Sequence, residues 1–194
     1  MKIAIVGATG LVGREIIRIC EELLPHEATY TLFASSNSAG TKLKVNEKVC
    51  EVKELKEENI ETYDISLFSA GGERSKKFAK SFLNKGSYVV DNSSAFRMEE
   101  EVPLVVYGIN EDKISKETKL ISNPNCTTMG LVMVLKPLHE KYKLEKIVPT
   151  AYQAVSGSGR AAVESLKNEE KLGEELKPNY SCLLYTSPSP RDGL

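Results

Sequence analysis

The run Gly7-Ala8-Thr9-Gly10-Leu11-Val12-Gly13 constrains the fold more than any other feature of the chain. It stands between Lys2 to Val6, a short apolar run that reads as a buried strand, and Leu11 to Leu24, where apolar residues recur at helical spacing until Pro25. A link this tight needs residues without bulk. A helix that starts directly behind it offers unpaired amides and a partial positive charge to a pyrophosphate group. In this position the glycine pattern is read as a dinucleotide loop, with Gly7, Thr9, Gly10, Leu11 and Val12 against the cofactor.

The rest of the chain repeats the alternation. Tyr30 to Ala34, Ile65 to Ala70 and Tyr88 to Asp91 read as strands, and Arg74 to Asn84 as a helix. Strands and helices in alternation predict an α/β fold of Rossmann type, a doubly wound parallel sheet. Lys42 to Val45 and Lys48 to Val52, with Asn46-Glu47 between them, predict a small peripheral hairpin. Leu104 to Tyr107 and Lys119 to Ile121 are expected to be short strands, and Thr127 to Lys136 a helix stopped by Pro137. Lys146 to Tyr152 then reads as a new strand, and the link Ser156-Gly157-Ser158-Gly159 leads to a last helix from Arg160 to about Leu172. The reading is therefore a cofactor domain over 1–122, followed over 123–180 by the start of an incomplete α+β catalytic and dimerisation domain. Its apolar faces in Lys146 to Tyr152 and in the last helix would be uncovered, which predicts poor folding and aggregation. Ser181 to Leu194 continues no earlier pattern. Because Cys182 to Asp192 resembles a translated sequencing-library adaptor, 181–194 is set aside as a non-native tail.

Composition narrows the function. The 194 residues carry 26 Lys and Arg against 27 Asp and Glu, so no strong field favours nucleic acid or an anionic membrane. No apolar run approaches the roughly 20 residues of a membrane helix, and the expected setting is the cytoplasm with a small-molecule substrate. The cysteines, Cys20, Cys50, Cys126 and Cys182, lack the close pairing of a zinc site, and no metal is expected. Cys20 and Cys50 fall in apolar patterns and read as core thiols.

Cys126 differs. Ser122-Asn123-Pro124-Asn125-Cys126-Thr127-Thr128 places its thiol at the start of an apolar helix, where the dipole and free amides favour the reactive thiolate form of a cysteine. Spacing alone does not separate such a nucleophile from a structural thiol. The end of the second strand bears on the cofactor: an acidic residue there would accept a bond from a ribose 2′-hydroxyl. Phe33-Ala34-Ser35-Ser36-Asn37-Ser38-Ala39-Gly40 has none. Ser35, Asn37 and Ser38 instead offer donors suited to a 2′-phosphate, favouring NADP(H) over NAD unless they merely serve the turn.

Four motifs in order, Gly7 to Gly13, Asp91-Asn92-Ser93-Ser94-Ala95-Phe96-Arg97, Pro124-Asn125-Cys126-Thr127-Thr128 and Tyr152-Gln153-Ala154-Val155-Ser156-Gly157, resemble those of aspartate-semialdehyde dehydrogenases. The similarity runs from Lys2 to about Lys177. It implies NADPH-dependent, reversible conversion of aspartyl phosphate to aspartate semialdehyde and phosphate, in lysine, threonine and methionine synthesis. By the same resemblance Cys126 would form an acyl-thioester, Gln153 would orient substrate and Arg97 would hold phosphate. Asn125 would help polarise the carbonyl, and Ser69, Ser156 and Gly157 would border the cofactor. The family's histidine base and a substrate-binding arginine lie in the later half of its members. His26 and His139 stand in no matching motif, so the chain is expected to be an inactive fragment of a homodimeric enzyme.

Two positions depart from the family pattern: Asn37 stands where many members have Arg, and Tyr107-Gly108 where they have Pro-Glu. The first weakens the NADP assignment. An N-acetyl-glutamyl-phosphate reductase, the nearest enzymatic alternative, usually has Pro-Gly-Cys at the position of Pro124-Asn125-Cys126. A non-catalytic dinucleotide-binding module is the alternative from another class.

Overall fold

The computed structural model describes residues 1–172, so the sequence 173–194, including the expected non-native tail and Cys182, lies outside the described residues. In chain order the elements are β1 (Lys2–Val6), α1 (Leu11–Leu23), β2 (Thr29–Ala34), β3 (Lys42–Val45), β4 (Lys48–Glu51), β5 (Lys53–Glu54) and β6 (Ile65–Phe68). There follow α2 (Gly72–Asn84), β7 (Tyr88–Asp91), β8 (Leu120–Ser122), α3 (Cys126–Tyr142) and α4 (Arg160–Leu172). Two compact units divide between Asn125 and Cys126.

The first unit is built on six parallel strands in the order β5-β2-β1-β6-β7-β8. Alternate residues of β1 serve opposite faces. Ala4 and Val6 join Phe33, Phe68, Phe78, Phe82 and Val89 in one core, and Ile3 and Ile5 join Ile17, Leu32, Val45 and Val52 in the other. Because α2 covers the first face while α1 and the β3–β4 hairpin cover the second, β1 reads as a continuous apolar run rather than a half-polar one. The aromatic centre is Phe82, with Phe33 and Phe68 edge-on at 5.8 and 5.1 Å and Tyr63 stacked at 5.8 Å. The hairpin turns at Asn46 and Glu47, both left-handed with φ of 46° and 63°, the conformation of a tight two-residue turn.

Three expectations fail, each for a local reason. Leu104 to Tyr107 forms only a single parallel bridge, Leu104 to Ser122. Beyond it the side chain of Asn110 accepts from the Val106 amide at 2.8 Å and donates to the Leu104 carbonyl at 2.9 Å, taking backbone groups that a strand ladder would use. The helix that starts at Cys126 does not stop at Pro137 but runs through it to Tyr142. Proline removes one amide, and the helix ends five residues later at Tyr142, beyond which Lys143 adopts φ 55° and its amide bonds the His139 carbonyl at 2.8 Å. Lys146 to Tyr152 is not a strand. Pro149 interrupts its donor row, and among the described residues no strand pairs with it.

Candidate active site at the carboxyl edge of the sheet

Parallel strands end on one edge, and the candidate residues of the first unit follow those ends. The chain leaves β1 for β2 on one side, then returns to place β6 on the other, so the gap beyond β1 and β6 is the topological switch point where ligands of such sheets bind. The glycine loop lies there. Gly7 (φ 92°) has a conformation that side chains rarely adopt, and a Cβ on it would overlap the Ser69 carbonyl at the end of β6. A Cβ on Gly13 would overlap the Gly7 carbonyl, so the third glycine lets α1 close on the loop. The amides of Gly7 and Ala8 both reach the Phe33 carbonyl, at 2.8 and 3.0 Å, fastening the loop to β2.

These constraints put a glycine at the start of α1. Gly10 is the N-cap and makes no side-chain cap bond, and Leu11 and Val12 are exposed there. This glycine-bounded, uncovered helix start is a cradle that suits a dinucleotide pyrophosphate. After β2, Ser36–Ser38 make a short 3-10 turn in which Ser36 and Asn37 are exposed and Ser35 and Ser38 half-buried, with no carboxylate between Ser35 and Gly40. Ser69 is half-buried after β6.

The exits of β7 and β8 are tied together. Asp91, wholly buried at the end of β7, accepts hydrogen bonds from Ser75 Oγ and Ser93 Oγ, each at 2.6 Å, and its main-chain carbonyl accepts from the Asn123 amide at 2.9 Å. Ser93 Oγ also accepts from the Ala95 amide at 3.1 Å, curling the loop that carries Arg97. Arg97 Nε donates to the Asn123 carbonyl at 2.8 Å and Nη2 to that of Asn92 at 3.3 Å. The guanidinium is thus half-buried and bonded to both strand exits. Asn125 follows Asn123 by two residues on the exit of β8 and is half-buried.

Cys126 is the next residue. It opens α3, 17 residues long, and its thiol is exposed, unlike buried Cys20 and half-buried Cys50, whose thiols are both pushed up in pKa chiefly by burial. Within the second unit, Gln153 precedes a 3-10 turn at Val155–Ser158 and lies across Gly157: a Cβ on Gly157 would strike the Gln153 amide. Gln153, Ser156 and Gly157 are all exposed. His26 lies between α1 and β2, at the edge opposite the glycine loop. His139 is 13 residues into α3 from Cys126, roughly 20 Å along the axis at 1.5 Å per residue.

Sequence reasoning assigned no role to Asp91, Ser75 or Asn123. A carboxylate closing the apolar strand Tyr88–Asp91 was the available signal, since a buried charge needs partners. Among the described residues no group of three His, Cys, Asp or Glu is arranged to hold a metal, and no helix is long and apolar enough to cross a membrane.

A parallel α/β sheet with a glycine-bounded helix start at its switch point defines a nicotinamide-dinucleotide-binding domain. The description "Semialdehyde dehydrogenase, NAD binding domain" matches residues 2–117, and "Semialdehyde dehydrogenase, dimerisation domain" matches residues 135–184. The chain belongs to the semialdehyde dehydrogenase family. It is 44% identical over 179 residues to the aspartate-semialdehyde dehydrogenase of Aquifex aeolicus, covering 91% of this chain and 53% of that protein. Aspartate semialdehyde dehydrogenase II of Vibrio cholerae complexed with ASA superposes with TM-score 0.83 at 34% identity, over 93% of this chain and 55% of that one. The Candida albicans aspartate semialdehyde dehydrogenase with NADP gives 0.58 at 32% identity, over 74% and 48%. The chain spans about half the length of the curated relatives it matches.

Proposed function

We propose that this chain is the cofactor-binding and nucleophile-bearing half of an aspartate-semialdehyde dehydrogenase. The observation that carries the reading is the order of groups along the carboxyl edge: the glycine cradle after β1, the Arg97 loop after β7, and the exit of β8 that runs through Asn125 into Cys126 at the start of α3. The domain division 1–122, 123–180 and a non-native 181–194 is proposed with it.

NADP(H) fits the residues present. Gly7, Thr9, Gly10, Leu11 and Val12 would hold the pyrophosphate, Ser35, Asn37 and Ser38 the adenosine 2′-phosphate, and Ser69, Ser156 and Gly157 would border the nicotinamide. Bound there, the reduced cofactor supplies hydride to an acyl group. The protein's own chemistry is nucleophilic: the Cys126 sulfur attacks the carbonyl carbon of aspartyl phosphate, an S–C bond forms, the C–O bond to phosphate breaks, and phosphate leaves. Arg97 would receive that phosphate through its guanidinium, and Gln153 and Asn125 would orient the acyl group and polarise its carbonyl. Cys126 would hold the acyl group as a thioester for reduction by the bound cofactor and would leave as the thiolate when the aldehyde forms.

Proton transfer needs a partner near Cys126; His139 lies 13 residues along α3 from it, and His26 stands in no motif of the family. We therefore propose that the base, a second substrate-holding arginine and most of a homodimer interface belong to a longer protein, as the half-length match and the dimerisation-domain match support. The 194-residue chain alone should show little turnover, because acid-base help is worth about 10²- to 10⁴-fold. The test is phosphate-dependent reduction of NADP with aspartate semialdehyde by the full-length enzyme. Activity lost in Cys126→Ala supports the reading; a Cys126→Ala enzyme that turns over normally ends it.

A further inference from the structure

The carboxyl group of Asp91 is closed off from solvent, yet it sits where the exits of β7 and β8 meet. It is wholly buried, and each oxygen takes one hydroxyl at 2.6 Å, Ser75 from the first turn of α2 and Ser93 from the loop leading to Arg97. Its own main-chain carbonyl holds the Asn123 amide, three residues before Cys126. The arrangement is closed from both sides. A Cβ on Gly72, at the start of α2, would come within 3.6 Å of Ser94 Oγ and 3.9 Å of the Ala95 amide, so helix and loop are in near contact around this carboxyl group. Arg97 completes the circuit by donating to Asn92 and Asn123, the residues that follow Asp91 and precede Pro124.

A buried carboxyl group is costly unless its oxygens are bonded, and ordinary packing would be served more cheaply by an apolar residue at the end of β7. What an apolar residue cannot do is fix the curl of Asn92 to Ala95, which requires an acceptor for the Ser93 hydroxyl while that hydroxyl accepts from Ala95. That curl sets where the guanidinium emerges.

We propose that Asp91 is a positioning residue for the phosphate step, acting through Ser93 to hold Arg97 at the exit of β8. The inference rests on the reading of Arg97 as the phosphate-holding side chain. Its mark is selectivity: loss of Asp91 should weaken the use of inorganic phosphate and spare the glycine cradle, which is fastened to β2 and β6 rather than to β7.

The test is a double-mutant cycle in the full-length enzyme, with KM for inorganic phosphate and KM for NADP measured separately. Asp91→Asn should raise the phosphate KM about ten-fold or more while the NADP KM stays within about two-fold. Combined with Arg97→Ala, which raises the phosphate KM by itself, Asp91→Asn should add nothing further, since it acts through the side chain already removed. Ser93→Ala provides a milder second variant should Asp91→Asn fold badly; it should raise the phosphate KM, and Ser93→Thr should restore it. Equal loss for phosphate and NADP, or additivity in the Arg97→Ala background, would overturn the role of Asp91 and leave Arg97 standing. An Arg97→Ala enzyme with unchanged phosphate KM would overturn the reading of Arg97 and this proposal with it.

Discussion

The two units of the chain handle their apolar residues in opposite ways. In Met1–Asn125 the central sheet and α2 bury most of their large apolar side chains, Phe33, Phe68 and Phe82 wholly, and leave Tyr88 at the start of β7 exposed. From Cys126 to Leu172 the buried apolar residues are Val132 and Ala162 among those described, while Met133, Val134, Val148 and Tyr152 are 50%, 63%, 80% and 98% exposed. A sheet flanked by helices can complete its core from its own residues, whereas α3 and the segment after it present apolar surface that the described chain does not cover. The first unit has the makings of an independent folding unit, and the second carries the proposed nucleophile on a scaffold with little buried apolar surface among the described residues.

That contrast predicts that binding and chemistry separate. In the full-length enzyme Cys126→Ala should lower turnover by about 10⁴-fold or more, the scale of losing a covalent nucleophile. NADPH affinity, read by fluorescence titration, should remain within about two-fold, because the cradle belongs wholly to the first unit. A large loss of NADPH affinity in the same variant would erase the division of labour.

The next effect is on stability. Phe82→Ala deletes the ring around which Phe33, Tyr63 and Phe68 pack, and should cost about 3–5 kcal/mol in urea unfolding of residues 1–125. Met133→Ala, in an exposed stretch of α3, should change the unfolding of the 194-residue chain by no more than about 0.5 kcal/mol. Comparable losses at the two positions would show that the second unit has a core after all.

How far these differences were legible in sequence depends on whether local chemistry or distant partners decide an element. Lys2–Val6 and the Asn46-Glu47 turn carry their own instructions, apolar continuity in one case and a two-residue turn in the other, and both form where the sequence points. Leu104 to Tyr107 and Lys146 to Tyr152 have strand composition, but a strand exists only when another strand bonds it. The first loses its backbone groups to the Asn110 side chain, and the second carries Pro149 and has no neighbour among the described residues. At the site, the glycine cradle follows from its own spacing. The carboxyl group that closes Tyr88–Asp91 announces a need for partners, but its bond to Ser75 spans 16 residues and two elements, and nothing local names that partner.

A smaller effect sharpens the picture of the loop. Gly13→Ala should cost about 1–3 kcal/mol, since the new methyl meets the Gly7 backbone and cannot move it cheaply. It should also weaken NADPH binding, because α1 would be pushed off the loop it supports. Gly130→Ala, in α3, has open space around the added methyl and should be neutral or slightly stabilising in the same denaturation series. If both substitutions were equally harmless, the closure of α1 on the loop would not be what holds the cradle in shape.

The smallest effect concerns alkaline pH and is confined to the first unit. Burial raises the thiol pKa of Cys20, with Glu21 adding to it, and burial likewise raises Cys50 against a weaker opposing pull from Lys48. A thiol whose folded pKa exceeds its unfolded value, about 8.5, keeps its proton in the folded state after the unfolded chain has begun to lose it. The unfolded chain then binds fewer protons, so stability is full below about pH 8.5 and falls as pH rises through the folded pKa. Urea midpoints for residues 1–125 should therefore decline above that pH, and Cys20→Val should flatten the decline whatever it does to the midpoint at neutral pH. A slope that Cys20→Val leaves untouched would mean that the loss arises elsewhere, with Tyr30 the next group to replace. Its hydroxyl bonds the Cys20 carbonyl at 3.4 Å, and its pKa is also raised chiefly by burial.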